Sequence, residues 1–183
     1  NHYAAWLKGD ILYPIVPRGA FIWIFRIFLL ASVVLHIWAA ASLSAWTIGV
    51  RGRGYTTFKP AALTYSARTM RWGGVLIGLF IVFHLLQFTV RAITPGFSKD
   101  ATPYDMFVLS FDQWWMLLLY AVLMVLVCMH IRHGFWSAFA TLGVNTSAKS
   151  EAVLNGLGIA VAVLLYVGFM VPPLAVLFGG ITL

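Results

Sequence analysis

Three histidines, His36, His84 and His130, each lie deep inside a separate apolar stretch long enough to cross a bilayer. An imidazole left in hydrocarbon without a partner costs several kcal/mol, and ionisable side chains inside spans mark functional sites. Imidazole nitrogen is also a common metal ligand. Three such residues on separate helices point to a cofactor held inside a helix bundle, for which haem is the best candidate. His133 follows His130 by three residues and lies closer to the interface. There it serves a quinone or a haem propionate, or is simply solvated or hydrogen-bonded. His2 is terminal and carries no assigned role.

Arginine within a span is costly unless it snorkels or pairs. Arg26, near the outer end of the first stretch, and Arg132, in the third, are two such residues. A propionate is the functional partner for each, and snorkelling is the alternative. Residues three, four and seven apart share a helical face. The face of His36 then carries Ser32, Ala39 and Ala40, and that of His130 carries Gly134 and Ser137. Small residues leave room for a flat macrocycle and equally allow close helix packing. The face of His84 carries Gln87 and Arg91, one and two turns outward. Arg91 is placed there to meet a propionate in a charge-assisted contact.

The elements that must position these residues follow from composition. The chain is 62% hydrophobic and 9% charged, with a mean hydropathy of +0.92. Soluble domains carry roughly a quarter charged residues, so an integral membrane protein is expected. Four apolar segments, 20–49, 70–93, 113–142 and 152–178, predict an all-α transmembrane helix bundle forming a single domain over 1–183. Pro14 and Pro17 disfavour helix before the first segment, and Pro95-Gly96 lies beyond the second. Pro172-Pro173, near the end of the fourth, predicts a kink or a stop. One cysteine, Cys128, rules out a disulfide framework and reads as a small buried hydrophobe.

The net charge of +7 sits mainly at span ends, where basic residues orient helices, and it does not point to nucleic acid. The connection 51–71 carries Arg51, Arg53, Lys59, Arg68 and Arg71 with no acid. The connection 91–112 sets Arg91 and Lys99 against Asp100, Asp105 and Asp112. The first is therefore expected on the cytoplasmic side and the second outside, in a multi-pass protein of the inner cell membrane. With a rise of ~1.5 Å per residue, His84 then falls in the outer half, His130 toward the inner half and His36 near mid-depth. His36 and His130 form one expected pair, and His84 marks a second, outer level.

The run His130-Ile-Arg-His-Gly-Phe-Trp-Ser-Ala-Phe-Ala-Thr-Leu-Gly143 resembles the haem-ligand helix of the succinate dehydrogenase/fumarate reductase cytochrome b subunit. The closest likeness is to the single-polypeptide, dihaem membrane anchor of actinobacteria and related bacteria. Ser66-Ala-Arg-Thr-Met-Arg-Trp-Gly-Gly74, Val82-Phe-His-Leu-Leu-Gln-Phe88 and Pro172-Pro-Leu-Ala-Val-Leu-Phe-Gly179 extend the likeness, in order, over nearly the whole chain. The resemblance implies five helices and two b haems with bis-histidine ligation. Its second- and fourth-helix ligands match His36 and His130, and its third-helix ligand matches His84. The partner of His84 would belong to a first helix, expected upstream of Asn1. It also implies electron flow from a flavoprotein subunit and an iron–sulfur subunit to a membrane quinone, menaquinone being the expected one. Asp10 is a candidate proton-handling group at the quinone site. One cysteine cannot hold an iron–sulfur cluster, so this chain would be the anchor and the haem wire. Two other classes compete: a cytochrome b anchor of a hydrogenase or formate dehydrogenase, and a non-haem membrane transporter using His130 and His133.

Overall fold

The computed structural model describes Trp6, residues 13–15, 17–50 and 65–183, with residues 47, 48 and 65–69 described as backbone. His2, Asp10, Arg51, Arg53 and Lys59 lie outside the described residues, and the Arg68 side chain does too. The chain divides into two units, Asn1–Lys59 and Pro60–Leu183. All regular structure among the described residues is helical.

The first unit contains α1, Ala20–Val50. Its run of Phe, Ile, Leu, Val and Ala is apolar on every face, as a membrane helix must be, and 27 of its residues are apolar enough to span. The second unit contains α2, Tyr65–Phe88; α3, Pro103–Phe111; α4, Trp114–Thr141; and α5, Ala148–Leu177. Helices α2, α4 and α5 are also long and apolar enough to cross a membrane, making four such helices among the described residues. This is a multi-pass helical membrane protein. In the second unit α4 packs against both α2 and α5, and the short α3 rests on α4 and α5.

The expected spans hold with three corrections. Helix α2 stops at Phe88, short of the expected 93, because the chain turns back on itself. The Val90 N–H bonds the Leu85 carbonyl, the Ala92 N–H bonds that of Leu86, and Arg91 takes a left-handed φ of 60°. Helix α5 starts at Ala148, capped by Ser147, whose hydroxyl accepts from the Ser150 N–H. It then runs through Pro172 and Pro173 to Leu177, so the prolines do not end it. Each proline lacks the N–H that would bond the carbonyl four residues back, at Gly168 and Phe169, yet the helix continues for one further turn. The connection 91–112 is not all loop, since it contains α3. Thr102 accepts from the Asp105 N–H, the Asp105 carboxylate accepts from the Thr102 N–H, and Pro103 occupies the first turn.

The core of this unit lies where α2, α3, α4 and the end of α5 meet. Val108, Phe111, Met116, Leu117, Tyr120, Met170 and Val176 form it, with Phe80, Phe83 and Phe88 packed around. The Tyr104 hydroxyl donates to the Thr182 carbonyl at 2.6 Å, tying α3 to the chain end after α5.

Candidate functional site

His84 stands on α2 four residues before that helix ends, facing Tyr120 of α4. Its Nδ1 lies 3.2 Å from the Tyr120 Oη. The Tyr120 hydroxyl donates to Gln87 Oε1 at 2.8 Å, and Gln87 Nε2 donates to Ser110 Oγ at 3.0 Å. Three helices thus supply one hydrogen-bonded chain: Ser110 from α3, Gln87 and His84 from α2, and Tyr120 from α4. Gln87 and Ser110 are each 0% exposed. Buried polar groups of this kind are stable only when fully paired. With the Tyr120 proton on Gln87 Oε1, the Tyr120 oxygen is an acceptor for His84 when Nδ1 carries the proton. In that tautomer Nε2 of His84 carries the free lone pair, on a residue that is itself exposed.

Aromatic rings hold this arrangement from several sides. Phe80 and Phe111 meet Tyr120 edge-on, with ring centroids 5.1 and 5.0 Å away. Phe88 lies 5.2 Å from the His84 ring and stacks on Phe97 at 6.4 Å. Such contacts stabilise beyond simple burial and restrict ring rotation. Phe97 follows Gly96, whose φ of +79° suits glycine alone. A Cβ there would fall 2.3 Å from Gln113 Nε2 and 2.8 Å from the Leu109 carbonyl oxygen.

His130 lies at a second level of the same helix pair. A Cβ at Gly74 of α2 would lie 3.7 Å from His130 Cε1, so the ring rests against the backbone of that helix. Gly74 and His84 are ten residues apart on α2, and Tyr120 and His130 are ten apart on α4. A single antiparallel register therefore accounts for both contacts and separates the His84 and His130 levels by ~15 Å along the bundle. Further along α4, the Trp136 indole N–H is buried with no hydrogen-bond partner among the described residues, and its ring lies 6.3 Å from His133. On the other side of α4, Gly158 of α5 approaches Arg132, where a Cβ would sit 3.2 Å from its backbone oxygen. Cys128, as expected, is a free buried thiol.

The remaining expected residues distribute as follows. His36 occupies the middle of α1, in the first unit, and Ser32 beside it donates to the Phe28 carbonyl. The Arg26 guanidinium lies over the Trp23 ring, 5.2 Å from its centroid, a cation–π contact. Arg91 is not two turns along the His84 face, because α2 ends first; its guanidinium donates to the Lys99 carbonyl instead. Gln87 does join His84, but it turns inward to Tyr120 and Ser110. Sequence reading missed both of these partners. Tyr120 lies inside an apolar run where an aromatic is ordinarily packing, and Ser110 sits in a connection read as loop. The Thr102-Pro103-Tyr104-Asp105 start of α3 was the signal available for it.

The site belongs to a multi-pass helical membrane protein that commits one histidine nitrogen to a buried polar chain and presents the other. Comparison of the chain with protein-family models, curated proteins and solved structures gives no match.

Proposed function

We propose that this chain is the membrane-anchor cytochrome b subunit of a succinate:quinone oxidoreductase. In that role it carries electrons from an iron–sulfur subunit, itself fed by a flavoprotein subunit, to a membrane quinone such as menaquinone. The observation that carries the reading is the two-level placement of His84 and His130 on one packed helix pair, ~15 Å apart. That spacing suits transfer between two stacked redox centres, and the chemistry of the residues fits haem b at each. A metal-bound histidine ordinarily donates its other ring N–H to the protein, and the Tyr120 oxygen stands 3.2 Å from His84 Nδ1, within reach of such a bond. Near His130, the unpartnered Trp136 N–H is a donor suited to a propionate, with His133 and Arg132 within two turns.

In this proposal His36 and His130 are the axial ligands of one haem, and His84 ligates the other. Haem with two imidazole ligands supplies one-electron transfer and leaves no open position for oxygen chemistry. The resemblance of the His130–Gly143 run to the succinate dehydrogenase anchor supports succinate as the electron source. The basic connection 51–71 is proposed to lie on the cytoplasmic side of the inner membrane, against the iron–sulfur subunit.

A reduced-minus-oxidised absorption spectrum of the purified chain tests the reading. A b-type signal that loses one component in His130→Ala or His36→Ala, and the other in His84→Ala, is expected. Absence of any b-type signal in the wild type refutes it. Reduction of the signal by succinate in the complex separates this assignment from a hydrogenase or formate dehydrogenase anchor, and crosslinks from Lys59 to the iron–sulfur subunit test the orientation.

A further inference from the structure

We propose that Ser110, Gln87 and Tyr120 form a positioning relay that holds His84 as the Nδ1–H tautomer and so makes Nε2 its metal-binding nitrogen. Tyr120 donates to the Gln87 carbonyl oxygen and Gln87 donates through its amide nitrogen to Ser110. With its proton on Gln87, the Tyr120 oxygen, 3.2 Å from His84 Nδ1, is the acceptor that the Nδ1–H tautomer needs. Two members are fully buried, so breaking any link strands a polar group in an apolar core. The relay is built from three helices, which makes the tautomer of one histidine depend on the docking of α3 and α4 on α2. None of the three residues reaches a ligand at Nε2; all act through the histidine.

The relay also sets how much electron density the imidazole offers a metal. A neutral phenol accepts weakly, so the Nδ1–H bond stays intact and the ligand stays a neutral imidazole. Replacing Gln87 by glutamate gives Tyr120 an anionic acceptor, which polarises the phenol and strengthens its pull on the His84 proton. A more basic imidazole stabilises oxidised iron.

The tautomer claim stands without haem, whereas its effect on a redox centre rests on the cytochrome reading. The first readout is therefore side-chain 15N NMR of the full chain in detergent micelles, with the His84 signals assigned by their loss in His84→Ala. In the wild type Nδ1 is expected to be protonated and Nε2 unprotonated or metal-bound. In Tyr120→Phe the preference should disappear, with circular dichroism unchanged. The second readout is redox titration of the spectral component that His84→Ala removes. Gln87→Glu should lower its potential by an amount equivalent to a several-fold change in the reduction equilibrium, while Gln87→Asn, which retains an amide, should change it less. Protonated Nε2 in the wild type overturns the proposal, as does an unchanged tautomer in a folded Tyr120→Phe protein. A wild type with no haem signal but with Nδ1–H in place upholds the relay and refutes the cytochrome assignment alone.

Discussion

At the His84 level α2 and α4 meet across a layer of aromatic rings with a hydrogen-bonded chain threaded through it. At the His130 level, ~15 Å away, the same two helices meet at a glycine. The first arrangement immobilises its histidine through Tyr120, Gln87 and Ser110 and is covered by α3. The second lets backbone approach the ring at Gly74, and Gly158 of α5 comes closer still to the Arg132 backbone of α4. The contrast shows two ways of placing an imidazole in an apolar bundle. One uses specific polar partners whose loss is expensive, and the other uses small residues that leave volume beside the ring. Substitutions should therefore hurt most at the covered level and least at the glycine level.

The largest effect is expected for Gly96→Ala. It adds backbone strain at a left-handed φ and drives a Cβ into the Leu109 carbonyl oxygen, costing about 2–5 kcal/mol. Thermal unfolding in detergent should show a markedly destabilised protein with Trp114 and Trp115 fluorescence altered. A wild-type transition would mean that the 96–113 contact is not formed. Next comes Ser110→Ala, which leaves the Gln87 amide without its buried acceptor, at about 1–3 kcal/mol. Denaturant unfolding measures it, and a neutral result would show that water reaches Gln87.

Gly158→Ala should cost about 1–2 kcal/mol, because the new methyl meets the Arg132 backbone oxygen at 3.2 Å and the helices must part slightly. The smallest effect belongs to Gly74→Ala. Its methyl would make an ordinary contact with His130, and alanine favours helix, so stability should stay within about 1 kcal/mol of wild type. Loss of the His130-dependent spectral component in this stable variant would sharpen the comparison, showing that the space beside Gly74 is used by a ligand.

Much of the architecture was legible from local sequence. Hydropathy is a property of a window, so the first and third expected spans, 20–49 and 113–142, match α1 and α4 to within one residue. The end of α2 was missed because a left-handed turn at Arg91 interrupts a sequence that remains apolar to Ile93. Helix α3 was missed because nine residues are too few to register as a span, although its capping box and proline were in view.

The sequence by itself determined that this is a multi-pass helical protein, that three of its spans each carry a histidine, and that Gln87 lies one turn from His84. These follow from composition and from the fixed pitch of a helix. Only the tertiary structure decided that Tyr120 and Ser110 are the partners of that pair, and that His130 rests at the height of Gly74. Tyr120 is 36 residues from His84, and Ser110 is 23 from Gln87. Which of many buried groups meets which depends on the register of packed helices, and register is settled by side-chain interlocking over the whole core rather than by any local run of residues.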